Sequence, residues 1–359
     1  MSAGRDTVDP GGVVETPRPA DRDDAPAEHD PGMPGARAGR GGRPALPWER
    51  RLPAIYVVVL VVSVVGLFLY PRTASAYNVT LALTVLLTVT LATSWNIISG
   101  FTGYTSFGHA GFFGIGAYVG ALLLFYDRMH WLPAVIVAGL ATAAVALAIG
   151  YPTLRLRGPY FAIAMLGLSE LARIVVTAWE SLTRGGLGVF LPILRDPTPN
   201  YHAMLALTVV AVVVSYAVGT STFGLRLLAI RDDEVAAEAM GIDTTRHKLA
   251  AFALSSFFPG AAGAIYARHT GFVEPAAVFA VIWSIRAIAT TMVGGQGTVL
   301  GPIIGAVLLT LVSEEVWARD PNLYQVVFGG IIVLVVVLMP GGLIGLGRRW
   351  GWLPRSRRL

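Results

Sequence analysis

Chemistry needs nucleophiles, metal ligands or paired acids and bases, and this 359-residue chain is poor in all of them. It has no cysteine, which removes disulfides, thiolate metal sites and cysteine nucleophiles. Lys248 is its only lysine, beside 26 arginines, and it stands in Arg246-His247-Lys248-Leu249. A phosphate-binding loop requires a glycine-rich turn followed directly by Lys-Ser/Thr, so the chain cannot supply a conventional ATPase site of its own. Paired His-rich or Asp-rich motifs on one face are missing, so no catalytic residue, metal site or cofactor is expected. What remains is a set of polar groups inside apolar stretches: Ser106, His109, Glu170, Arg173 and Arg286. At membrane depth such groups face protein or water, pair with one another, or line a path. Glu170 and Arg173 lie three apart on one helical face and are expected to neutralise each other. Arg286 is costly without a partner, for which Glu170 and Glu314 are the candidates.

The elements that must hold these residues are helices in lipid. Hydrophobic residues make up 54% of the chain and charged ones 14%, against roughly 25% in average globular proteins. Residues 1–51 carry 17 of the 49 charged side chains, so the body is depleted further. That leading stretch, rich in Pro, Gly, Asp, Arg and Ala, reads as a disordered cytoplasmic tail without a secretory signal. Ten candidate spans follow, at about 53–70, 78–99, 104–126, 131–150, 160–179, 201–220, 250–268, 276–293, 298–314 and 325–340. The apolar runs are long and do not alternate, which favours helices over barrel strands. With the N-terminus inside, 19 Arg and Lys residues fall on the cytoplasmic side and 6 outside. The expected fold is therefore an all-α polytopic membrane protein of about ten transmembrane helices over 52–345. Both termini are cytoplasmic, the second as a basic tail at 346–359. The net charge of +5 follows from these orientation signals, so no nucleic-acid partner is expected.

Three segments could carry mechanism. The cytoplasmic connection at 221–249 is the most charged part of the body. Asp232 or Asp233 can cap a short helix through Val235-Ala236-Ala237-Glu238-Ala239-Met240, and Gly241 can end it in the left-handed conformation. Its alanines would let another backbone approach closely. A second segment has glycines at 100, 103, 108, 111, 114, 116 and 120. These permit close helix crossing or a broken helix lining a cavity, and Ser106 and His109 are candidates to line a translocation path. In the third, Gly297, Gly301 and Gly305 at i, i+4, i+8 would form one packing face, with Pro302 as a kink.

The run Arg231-Asp-Asp-Glu-Val-Ala-Ala-Glu-Ala-Met-Gly-Ile-Asp-Thr-Thr-Arg-His-Lys-Leu249 resembles the cytoplasmic loop of the LivM family, permease subunits of bacterial ABC importers for branched-chain amino acids. Three more stretches resemble the same family: Gly103-Tyr-Thr-Ser-Phe-Gly-His-Ala-Gly-Phe-Phe-Gly-Ile-Gly-Ala-Tyr118, Arg157-Gly-Pro-Tyr-Phe-Ala-Ile-Ala164 leading to Glu170, and Gly294-Gly-Gln-Gly-Thr-Val-Leu-Gly-Pro-Ile-Ile-Gly-Ala306. The resemblance spans roughly 80–345. It implies an inner-membrane transport subunit that hydrolyses nothing itself. The implied partners are a second permease, two ATP-binding subunits and an extracytoplasmic solute-binding protein. It also implies that the helix at 231–241 docks in a cleft of the ATPase, with Arg231, Asp233, Glu234, Ala236, Ala237, Glu238 and Gly241 as the coupling residues. Val235 stands where the wider importer pattern has Glu, and Ser284-Ile285-Arg286 where many relatives read Ser-Ile-Glu. Permeases of urea and short-chain amide importers share the pattern. An ion-coupled secondary transporter is the other alternative, with Glu170 as the only clear mid-span acid to support it.

Overall fold

The computed structural model describes residues 61–127, 129–156, 158–192, 196–319, 329–330 and 341–349. The tail at 1–51, the start of the span at 53–70, nearly all of the span at 325–340 and most of the basic tail at 346–359 lie outside the described residues. Among the described residues six helices are long and apolar enough to cross a membrane. Apart from one two-residue ladder, all regular structure among the described residues is helical.

After a short apolar helix α1 (Val61–Arg72), α2 (Ala76–Trp95) begins at Ser75, whose hydroxyl accepts from the Asn78 N–H. It runs on through a π turn at Asn96–Gly100. An irregular stretch then separates it from α3 (His109–Phe125). Next come α4 (Trp131–Thr153) and α5 (Pro159–Ala178), the latter with its proline in the first turn, where no N–H acceptor exists. The connection after α5 holds a one-turn α6 (Glu180–Thr183) and β1 (Val189–Phe190). Then α7 (Thr198–Thr220) returns across the bundle. The connection at 221–249 is helical nearly throughout: α8 (Thr222–Asp232), α9 (Glu234–Ala239) and the start of α10 (Thr244–Thr270). β2 (Phe272–Val273) pairs antiparallel with β1, Val189 facing Val273. A short α11 (Pro275–Val278) leads into α12 (Ile282–Gly294), followed by α13 (Leu300–Arg319) and α14 (Gly342–Arg349).

The core is organised around α10, which lies against α3 and α4 along much of its length. Small residues make this possible. A Cβ on Gly116 of α3 would run into the Gly260 backbone, and one on Gly263 into the Phe113 carbonyl. On the other side, Gly260 meets Thr142 of α4, whose hydroxyl donates to the Ser256 carbonyl at 3.1 Å. Two helices in lipid gain little from hydrophobic transfer, so close backbone approach and interhelical hydrogen bonds hold them together. By contrast, α5 buries only Phe161, Met165 and Ser169, a single stripe at i, i+4, i+8.

Two expectations about the third glycine segment are corrected here. Gly301 and Gly305 do lie in α13 against α12, where a Cβ would strike the Gly295 and Thr290 carbonyls. Gly297 shares no helical face with them. It sits in the turn before α13 with φ +77, held by its N–H donating to Asn96 Oδ1 at 2.8 Å. Nor does Pro302 kink the helix: it occupies the first turn of α13, where its missing N–H has no intrahelical acceptor.

Candidate functional site

Two glycine-rich breaks meet inside the bundle. In the first, residues 103–107 are irregular between the π turn and α3, with Gly103 at φ +79. Non-helical backbone at membrane depth needs protein partners for its polar groups, and several of these are side chains. Trp95 Nε1 donates to the Ser106 carbonyl at 2.8 Å, and the Ser106 N–H donates to Ser99 Oγ at 3.2 Å. Ser106 Oγ accepts from the Gly108 N–H. Ser284 of α12 donates to the Phe107 carbonyl at 2.7 Å and accepts from the Ala110 N–H at 2.8 Å. The second break, at 295–299, is bonded to the π turn that precedes the first. Asn96 Nδ2 donates to the Thr298 carbonyl, and Gln296 Nε2 to the Ser99 carbonyl.

Ser106 and His109 are both fully buried at this junction, so neither lines an open path in this conformation. His109 is the first residue of α3, with its ring edge-on to Phe112 and no side-chain hydrogen bond of normal geometry at either nitrogen.

The face that carries α8 and α9 is built from caps and buried charge. Asp233 caps α9, its Oδ1 accepting from the Val235 and Ala236 N–H groups at 2.9 and 3.0 Å. Gly241, at φ +81, closes the helix in a Schellman motif: the Ile242 N–H reaches the Ala237 carbonyl and the Gly241 N–H reaches that of Glu238. Val235, Ala236, Ala239 and Met240 are exposed, Met240 at 84%. Ala237, expected on the surface presented to a partner, faces inward instead. It packs in the cluster of Phe101, Leu227, Ile230 and Phe252, because it points back at α8 and α10. Glu234 also turns inward, accepting from Lys248 Nζ at 2.6 Å and from the Tyr104 hydroxyl at 2.6 Å. Glu238 accepts from Thr244 Oγ1 at 2.6 Å, and Arg231 donates to the Gly100 carbonyl at 2.6 Å.

The remaining ionisable candidates lie apart. On α5 the Arg173 guanidinium grips both oxygens of Glu170, and the two side chains stay 36% and 49% exposed. Arg286 is half-buried on α12, its guanidinium 5.8 Å from the centre of the Trp283 ring. Of the two carboxylates suggested for it, Glu170 is engaged by Arg173 and Glu314 accepts from the Tyr77 hydroxyl at 2.8 Å. Among the described residues no cluster of three or more His, Asp or Glu could hold a metal ion.

Lys248 and Tyr104 are the residues that sequence reading passed over. The signal was present: a lone lysine inside a long apolar helix marks a site by the same rule that picked out Glu170.

Comparison with known proteins places this geometry. The family described as "Branched-chain amino acid transport system / permease component" matches residues 77–336. The high-affinity branched-chain amino acid transport system permease protein LivM of Salmonella typhimurium is 31% identical over 337 residues, covering 85% of this chain and 78% of that protein. LivM of Escherichia coli matches to the same extent. The xylose transport system permease protein XylH of Escherichia coli is 30% identical over a shorter stretch, 48% of this chain and 46% of its own. No solved structure matches. With its spanning helices and a family match over most of its length, the chain belongs to the branched-chain amino acid transport system permease family, as a multi-pass membrane subunit of an ABC importer that moves solute without ATPase activity of its own.

Proposed function

We propose that this permease forms, with a second permease, the translocation path of a bacterial inner-membrane importer for branched-chain, hydrophobic amino acids. Two ATP-binding subunits drive it and an extracytoplasmic binding protein delivers the solute. The carrying observation is coverage: the amino-acid permeases match 85% of the chain, and the sugar permeases less than about half. In this reading ten spans place both termini in the cytoplasm, and α9 is the contact for an ATPase, offering Val235, Ala236 and Met240 at its tip. The exposed ion pair Glu170–Arg173 supports α5 as a wall of the shared path. A mid-span pair open to the outside of one subunit is poorly placed against lipid and well placed against water or a partner. Ser106 and His109 lie one layer behind that wall and become accessible when the state changes. Alternating access follows from ATP binding favouring one of two arrangements of the subunits.

The test is reconstitution of the assembled importer in proteoliposomes with a radiolabelled panel of leucine, isoleucine, valine, urea, acetamide, ribose and xylose. ATP-dependent uptake confined to the three amino acids is expected. Uptake of urea, an amide or a sugar in their place would overturn the substrate assignment, and uptake abolished by a protonophore but indifferent to ATP would overturn the importer mechanism.

A further inference from the structure

Lys248 joins four elements at one point. The residue is 3% exposed, and its three donors meet three oxygens: Glu234 Oε1 on α9 at 2.6 Å, the Tyr104 hydroxyl in the first break at 3.1 Å, and the Leu154 carbonyl at the end of α4 at 3.2 Å. The Tyr104 ring lies 4.8 Å from Nζ, and its hydroxyl donates to the second oxygen of Glu234. A second tie runs beside the first. Arg231, two residues before the cap of α9, donates to the Gly100 carbonyl, and its side chain lies across Gly103. The polypeptide around α9 thus grips the chain at two points, at Gly100 in the π turn and at Tyr104 in the break.

Burying an ion pair rarely adds net stability over apolar groups of the same shape; its best-attested use is to fix a register. The register here is between a six-residue helix, too short to be rigid alone, and an irregular segment with no internal ladder. Beyond Tyr104 the same short segment is anchored at Ser106, whose Oγ accepts from the Gly108 N–H, and at Ser284 of α12, which bonds both the Phe107 carbonyl and the Ala110 N–H in the first turn of α3. We propose that Lys248 and Tyr104 are positioning residues that lock α9 to the segment 100–108, which contains the break, so that a displacement of α9 is delivered to the start of α3 and to α12. Without the lock, the same displacement would be taken up by bending at 240–243. The inference rests on α9 being the ATPase contact. It adds that the transmission runs through this buried cation.

The absence of native cysteine makes the test direct. Spin labels on Thr105→Cys and Ala239→Cys, both exposed sites, report the separation of break and helix in the full chain. The assembled importer reports ATP hydrolysed per leucine taken up. In the parent the separation is a single narrow population, the same with and without ATP. Tyr104→Phe, which keeps the ring and removes the hydroxyl with its bonds to Lys248 and Glu234, broadens it and raises ATP per leucine by about fivefold or more, a single lost hydrogen bond being worth about that factor. Lys248→Met does more, and Lys248→Arg, which keeps charge and donors, restores part of both readouts. The inference is overturned if both variants leave the separation and the ATP-to-leucine ratio at parental values, including the case in which uptake and hydrolysis merely fall together with yield. Failure of the parent to capture ATPase subunits, or to take up leucine, sinks the docking or substrate reading instead. The spin-label separation in the isolated chain still decides the lock.

Discussion

Helices α10 and α5 have similar spans and opposite fates. Over its most apolar 18 residues the more hydrophobic α5 is only 17% buried, while the corresponding stretch of α10, the helix that carries Lys248 and Arg246, is 67% buried. In water the order would be reversed, because burial there follows hydrophobicity. In lipid the solvent is already apolar, so the interior goes to whichever helix offers small residues and hydrogen-bonding groups. α10 offers Gly260, Ala261, Ala262, Gly263 and Ala264 in succession, whereas α5 presents Tyr160, Ile163, Leu171 and Ile174 outward.

The largest expected effect lies at the tightest contact. Gly116→Leu must separate α3 from α10 and should cost about 3 kcal/mol or more, seen as loss of the monodisperse peak on size exclusion in detergent. A well-folded Gly116→Leu protein would show that the two helices are less closely joined than the backbone contact indicates. Next comes the ion pair of α5. Glu170→Leu leaves Arg173 without its acceptor, and uptake should fall about tenfold with binding of the ATPase subunits retained; the exchange Glu170→Arg with Arg173→Glu should recover most of it. Recovery with Glu170→Leu/Arg173→Leu instead would place this face against lipid. The smallest effect is expected from Ile163→Ala, two-thirds exposed on α5. Its thermal stability should stay within about 0.5 kcal/mol of the parent, and reduced co-purification of the second permease would identify Ile163 as a subunit contact.

What could be read from the sequence was local. Asp233 and Gly241 announce the two ends of α9 because each acts on backbone within four residues of itself. The pairing of Glu170 with Arg173 needed only helical spacing. The remainder depended on distant chain. Lys248 finds its partners at positions 104, 154 and 234, and nothing in Arg-His-Lys-Leu indicates which carboxylate is near. Periodicity put Gly297 on a helix, but a side chain from position 96 captures its N–H and turns the chain there. Ala237 carried a small-residue signal that is the same for a surface meant for a partner and for one meant for its own core.

The sealed position of Lys248 has a practical consequence. With one ε-amine in the whole sequence, and that one shut away among a carboxylate, a phenol and a carbonyl, amine-directed acylation of this chain becomes a meter of opening. The native protein should leave the Lys248 peptide unmodified in a mass spectrum. The rate at which that single mass shift appears during heating, detergent exchange or turnover reads out how often the space between α9, α10 and the first break admits a reagent.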